Sequence, residues 1–228
     1  MCTVTFLPLS DHSFVLTSSR DVGYKREKAS FPASYKEQGV PLYYPRDGKA
    51  GGTWIGTSRD NRLICLLNGG FENHKRKLPY KMSRGIIVKN ILSADDGVTY
   101  INEFDFDNIE PFTLVLIDWN NGLFAYELVW DGMQKHFKKL SQEPKIWSSS
   151  TLYTKEMRIS RKKWFDDFLS ANNLFHQEEV LKFHQNEKLG TPETSIKMKR
   201  DFVETVSITS IIKSDLEIKI DLQIKIRS

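Results

Sequence analysis

Short apolar runs of strand length, separated by turn residues, recur along the whole chain and restrict it to folds built largely from antiparallel hairpins. Residues 3–7 and 14–18 are rich in β-branched and aromatic side chains and flank a polar turn at Ser10, Asp11 and His12. Residues 53–57 and 63–68 repeat the pattern around Ser58-Arg59-Asp60-Asn61, and the second run ends in Asn68-Gly69-Gly70. Their continuous hydrophobicity predicts burial on both faces. Residues 112–117 and 123–130 enclose Asp118-Trp119-Asn120-Asn121-Gly122, where Asn-Gly supplies the left-handed backbone of a tight hairpin. A further strand is predicted over 137–140, and two β-rich runs occupy 203–212 and 216–226, the second only partly alternating.

Helical periodicity is confined to a few places. Ser83 precedes Ile86, Ile87, Val88, Ile91 and Leu92, a spacing near 3.6 that predicts a helix closing before Asp95-Asp96-Gly97. Residues 157–169 form an amphipathic pattern with Ile159, Trp164, Phe165 and Phe168 on its apolar side, and a weaker helix follows over 177–185. The polar stretch 20–52, with Pro32, Pro41, Pro45 and the turn Arg46-Asp47-Gly48, reads mostly as ordered loop. Hairpins with segregated helices define an α+β class. The 228 residues suit one domain over 1–228, with a basic helical insert towards the C-terminal third, better than two complete domains.

Composition removes several functions. The 33 Lys and Arg against 29 Asp and Glu leave only +4, too small an excess to mark a nucleic-acid binder. The start of the sequence lacks a basic segment ahead of its apolar residues, and no apolar run approaches the length of a membrane span, so a soluble cytoplasmic protein is expected. Two cysteines, Cys2 and Cys65, cannot build a disulfide framework, which agrees with a reducing compartment. The histidines, His12, His74, His136, His176 and His184, lack metal-ligand spacing, and no glycine-rich phosphate loop is present. Neither a metal nor another cofactor is expected.

The sharpest chemical feature is Cys2. Removal of Met1, expected because cysteine is small, leaves one residue that carries both a thiol and a free α-amine, so nucleophile and base come together. A thiol titrates near 8.5 and an α-amine near 7.7 to 8.0, both close to working pH. Position alone leaves open that Cys2 is merely a small second residue.

Several motifs resemble those of one family. Met1-Cys2-Thr3-Val4 opens a strand, Thr17-Ser18-Ser19-Arg20-Asp21 ends the next, and Gly51-Gly52-Thr53-Trp54-Ile55-Gly56 and Leu66-Leu67-Asn68 follow in order. With Ser83-Arg84-Gly85 and Glu204-Thr205-Val206-Ser207, they make the chain similar to the NRDE family, that of transport and Golgi organisation protein 2. The resemblance implies a four-layer αββα sandwich like that of the cysteine-type N-terminal nucleophile hydrolases, which include choloylglycine hydrolases and penicillin V acylases. The family motif is itself altered: Ser19 replaces its Asn and Val22 its Glu.

The same resemblance implies roles at matching positions. Arg20 and Asp21 would hold the thiol and the α-ammonium: a guanidinium beside sulfur favours thiolate, and a carboxylate beside the amine orients its protonated form. An ordinary strand-end ion pair is the plainer alternative. Asn68 matches an oxyanion-hole asparagine, or else accepts a left-handed turn before Gly69. Arg200, within Lys197-Met198-Lys199-Arg200-Asp201, matches a late active-site arginine, or else belongs to a solvated basic turn. A second asparagine of those hydrolases has no counterpart, because Ser148, Ser149 and Ser150 occupy that stretch. Elsewhere, Cys65 reads as a small buried hydrophobe, and His74-Lys75-Arg76-Lys77 and Arg161-Lys162-Lys163 read as solvated basic faces. Tyr43, Tyr44, Trp54 and Trp147 divide between core packing and the lining of an acyl pocket.

Two functions follow from the resemblance. One is a hydrolase that attacks a non-peptide or peptide-like amide of a small molecule through Cys2 and an acyl-enzyme. The other is a non-catalytic carrier of a hydrophobic ligand such as haem or lipid. The related hydrolases also suggest a homo-oligomer.

Overall fold

The computed structural model describes residues 3–48, 51–58, 62–172, 175–214 and 218–224. Two compact units divide the chain: Met1–Arg26 with Gln142–Ser228, and Glu27–Ser141.

The first unit is built on a five-stranded antiparallel sheet. In chain order its strands are β1 (Thr3–Pro8) and β2 (Phe14–Gly23), then β10 (Lys145–Ser148), β11 (Val203–Lys213) and β12 (Ile218–Ile224). They lie in the order β10-β1-β2-β11-β12. The predicted first hairpin is therefore present, with Thr3 opposite Ser19 and Leu7 opposite Val15. Helices α3 (Lys155–Ala171) and α4 (Gln177–His184) fall between β10 and β11 and pack on this sheet. The predicted basic insert is thus the helical layer of the unit. Phe165, Val180 and Phe183 meet Leu7, Val15 and Ile196 in its core. Ile159 does not join them: it is 61% exposed, and Arg161 occupies the buried stripe instead. Among the described residues, strand β10 answers to no run identified in the sequence, since Lys145-Ile-Trp-Ser is short and its pairing with β1 is made at long range.

The second unit is a seven-stranded antiparallel meander in which β3 (Ala33–Glu37), β4 (Val40–Tyr44), β5 (Ile55–Ser58), β6 (Arg62–Asn68), β7 (Phe112–Asp118), β8 (Phe124–Trp130) and β9 (Lys135–Lys139) follow one another. Strands β5 and β6 are buried nearly throughout, as their apolar runs predict. Strands β3 and β4 correct the reading of 20–52 as loop. Gln38 and Gly39 both take positive φ, 49° and 88°, and close a tight hairpin, while Leu42 and Tyr44 alternate into the core despite Pro41. The prolines disguised a short polar hairpin at the end of the sheet.

Helices α1 (Arg84–Ser93) and α2 (Gly97–Glu103) interrupt the meander between β6 and β7. Helix α1 is the one predicted after Ser83, and Ile87, Val88, Ile91 and Leu92 bury its inner face. Helix α2 was hidden behind turn-like Asp95-Asp96-Gly97. Asp96 is its N-cap and accepts from the Thr99 amide, so the residues that end one helix begin the next. Buried Arg62 donates to the carbonyls of Ile91, Ala94 and Asp95 and so satisfies the free end of α1.

Candidate active site

Cys2 lies outside the described residues. The site is therefore built from Thr3, the next residue. Thr3 pairs with Ser19 on one side and Ser148 on the other, at the sheet end where β2 continues into Arg20 and Asp21. Alternation along β2 puts Ser19 and Asp21 on the face towards α3 and α4, and Ser18 and Arg20 on the opposite one. Both Arg20 and Asp21 are buried, 4% and 3% exposed.

Asp21 is held at both oxygens. The Tyr153 hydroxyl donates to Oδ2 and the Thr205 hydroxyl to Oδ1, each at 2.6 Å. Thr205 in turn stands opposite Asp21 on β11. Charge-assisted bonds of this length fix the carboxylate in one orientation. The Tyr153 ring is itself clamped, with the Arg161 guanidinium 3.7 Å and the Arg200 guanidinium 5.4 Å from its centroid. Arg161 is fully buried and donates to Thr3 Oγ1 and to the carbonyls of Thr194 and Ser195. This overturns the reading of residues 161–163 as a solvated face: only Lys162 and Lys163 are exposed, paired with Asp166 and Asp167.

Arg200 reaches the same cluster through Tyr153. Its guanidinium donates to the carbonyls of Glu193 and Leu152 and to Met157 Sδ, and its own carbonyl accepts from the Tyr24 hydroxyl. The side chain thus ties two backbone carbonyls and the Met157 sulfur together beside Tyr153. Ser149 and Ser150 are buried at the end of β10, where the tyrosine-bearing turn begins, and the Tyr153 amide bonds the Ser149 carbonyl.

His184 completes the helix side of this sheet. It is fully buried, with Nε2 on the Thr5 hydroxyl and Nδ1 on the Ser19 hydroxyl, both at 2.8 Å. Burial first, and the neighbouring Arg161 charge second, push the imidazole down to about 3, so it is neutral at working pH. Ser19 is one of the two positions at which the chain departs from the motif of that resemblance, and its hydroxyl is what the histidine binds. Neither Tyr153 nor His184 stood out in the sequence, because each gains its partner through tertiary packing; Thr205 lay within a recognised motif but without an assigned task.

Asn68 belongs to the second unit. It ends β6 opposite Phe112 and keeps strand geometry, while Gly69 takes the left-handed φ of 85°. Asn68 therefore does not absorb the turn. The Gly69 amide bonds the Pro111 carbonyl, which also accepts from Arg84, and Arg84 is paired with Glu110 at 3.2 Å. His74 and Arg76 also lie against Glu110, so this basic run is partly tied to an acid rather than wholly solvated. Cys65 is fully buried, as a small hydrophobe would be. Among the described residues no three His, Cys, Asp or Glu side chains assemble as metal ligands, and no helix is long and apolar enough to cross a membrane.

Removal of the Tyr153 hydroxyl tests how Asp21 is held. Tyr153→Phe is expected to cost about 2 kcal/mol, the usual range for a hydrogen bond to a charged group. Urea denaturation would measure it, and an unchanged midpoint would mean that the bond contributes nothing.

The architecture has clear counterparts among solved structures. A Caenorhabditis elegans orthologue of N-acylethanolamine-hydrolyzing acid amidase is similar at a TM-score of 0.58 with 12% identity, covering 92% of each chain. Penicillin V acylase from Agrobacterium tumefaciens gives 0.52 with 10% identity over 98% of this chain and 86% of its own. A variant of the conjugated bile acid hydrolase from Clostridium perfringens gives 0.50 with 9% identity over 98% and 92%. At such identities the likeness establishes the fold, that of the N-terminal nucleophile hydrolases, as the resemblance implied. No curated protein matches the sequence. The sequence model for Transport and Golgi organisation 2 matches residues 1–216, which takes in the whole second unit, most of the first and every motif from Cys2 to Ser207, and the chain belongs to that family.

Proposed function

We propose that this protein is an N-terminal cysteine hydrolase of a small-molecule amide, with Cys2 as nucleophile once Met1 is removed. The observation that carries the reading is the buried Asp21 carboxylate, gripped at both oxygens on the strand that pairs with Thr3. Cys2 is joined directly to Thr3, and Ser19, the partner of Thr3, directly precedes Arg20 and Asp21. A carboxylate so fixed suits the orientation of an α-ammonium, and Arg20 favours the thiolate. The α-amine takes the thiol proton as sulfur attacks the carbonyl carbon and returns it to the departing amine; water then resolves the thioester. The resemblance assigns an oxyanion donor to Asn68, and Arg200 supports the site through Tyr153. A chain with only two cysteines suits a reducing, cytoplasmic setting.

The test is the intact mass of the purified chain before and after brief exposure to iodoacetamide, with Cys2→Ala and Cys65→Ala as controls. Loss of Met1 and one fast adduct, absent in Cys2→Ala and kept in Cys65→Ala, is expected. Retained Met1, or labelling no faster than that of free cysteine, would end the reading.

A second function is favoured by a separate observation. Between α3 and α4 lies a cavity of about 430 Å³ lined by Trp164, Phe168, Phe183 and Leu189 together with Asp167 and Lys182. Mostly apolar walls with a few charges suit a hydrophobic ligand such as haem or lipid. Stoichiometric retention of such a ligand by the native chain, without turnover and unchanged in Cys2→Ala, would favour the carrier.

A further inference from the structure

One face of the first unit's sheet carries hydroxyls with nothing to bind. Ser18 stands opposite Thr209, and Arg20 opposite Ser207, so these four side chains form a two-by-two block on the face that does not meet α3 and α4. Ser18, Ser207 and Thr209 are 0%, 6% and 1% exposed, and none of their hydroxyl oxygens has a hydrogen-bond partner. The contrast with the other face is sharp. There Thr17 bonds Ser210, Thr5 and Ser19 share His184, and Thr205 bonds Asp21. Three adjacent, buried, unpartnered hydroxyls are not an economical core, because each is desolvated without return and a methyl group would pack as well. They lie beside Arg20: Ser18 is on β2, the strand next to that of Thr3, and Ser207 and Thr209 are on β11 beyond it.

We infer that Ser18, Ser207 and Thr209 form a polar subsite for the acyl part of the substrate, and that this acyl part carries a second amide. A hydroxyl both donates and accepts, so three clustered hydroxyls match a group that presents N–H and C=O side by side. Charge does not favour an anion: Glu204, buried and opposite Val22 on this same face, offsets Arg20. A plain hydrocarbon chain would leave all three hydroxyls unpaired. The inference rests on the amidase reading for its catalytic meaning, but binding can be measured without catalysis.

The full chain carrying Cys2→Ala is titrated with N-acetylglycinamide and, separately, with pentanamide, a length-matched amide lacking the second amide group, and binding is read by NMR shifts. The first should bind about tenfold more tightly, the equivalent of one or two net hydrogen bonds. Ser18→Ala/Ser207→Ala/Thr209→Val in the same background should erase that preference and melt no lower than its parent. Equal affinities, an undiminished preference in the triple variant, or a clearly lower melting temperature would each overturn the subsite. In the native chain, release of p-nitrophenolate from the N-acetylglycyl and pentanoyl p-nitrophenyl esters is then compared. There the Cys2 sulfur forms a thioester as the C–O bond breaks and p-nitrophenolate leaves with the electron pair. No release from either ester, with the binding preference intact, would refute the nucleophile and leave the subsite standing.

Discussion

Acidification from pH 6.5 towards 3 is expected to strip this protein of stability through a single histidine. His184 is fully buried between Thr5 and Ser19, and its folded value of about 3 lies below the ordinary 6.5. Between those values the unfolded chain takes up a proton that the folded chain refuses. The contribution is fully present above pH 6.5 and falls by about 1.4 kcal/mol per pH unit below it, on the order of 5 kcal/mol across the window. Carboxylates add their own acid dependence, so the measurement is a difference. Unfolding free energies of the native and His184→Gln chains are compared from pH 7.5 downwards. The advantage of the native chain should shrink at that slope; a constant difference would show that the imidazole is already charged in the folded state or reached by water.

Alanine at Gly52 or Gly85 is expected to destabilise the second unit by about 3 kcal/mol, at the upper end for overpacking. The two glycines belong to separate sequence motifs, Gly51-Gly52-Thr53 and Ser83-Arg84-Gly85, which the fold brings into backbone contact. A Cβ on Gly52 would stand 2.7 Å from the Gly85 carbonyl carbon, and one on Gly85 would stand 2.9 Å from the Thr53 carbonyl oxygen. Backbone atoms cannot swing aside as a flexible side chain can, so the β5 entrance and the start of α1 must separate. Gly23→Ala is the control, since its Cβ would meet only the Phe202 carbonyl oxygen at 3.4 Å. Urea midpoints should fall sharply for Gly52→Ala and Gly85→Ala and stay within about 1 kcal/mol for Gly23→Ala. Equal effects at all three would mean that loss of glycine itself, rather than close approach, sets the cost.

Hairpins flanked by strong turn residues were legible, as at Asn121-Gly122 between β7 and β8, because the turn and its strands are neighbours in the chain. Strands β3 and β4 were not, because Pro41 and a polar outer face obscured an alternation that burial of Leu42 and Tyr44 makes plain. Helix α3 was placed correctly, but its inward face was not: periodicity offered Ile159, and the fold chose Arg161. A guanidinium can take an apolar stripe when carbonyls and an aromatic face receive it, and those partners come from residues 153, 194 and 195.

The candidate site divides in the same way. Arg20, Asp21, Asn68 and Arg200 could be named from local motifs, since each sits at a strand end or turn that the sequence announces. Tyr153, Thr205 and His184 acquire their tasks only when segments 132 to 184 residues apart in the chain become neighbours, as β1 and β2 meet β11, α4 and the turn after β10. By itself the sequence determined the strand-rich α+β class, the positions of most hairpins and the residues able to do chemistry, because those depend on alternation, turn chemistry and side-chain type. The tertiary structure alone decided which hydroxyl grips Asp21, which histidine is kept neutral and which hydroxyls are left without partners, because hydrogen bonds and desolvation are set by neighbours in space.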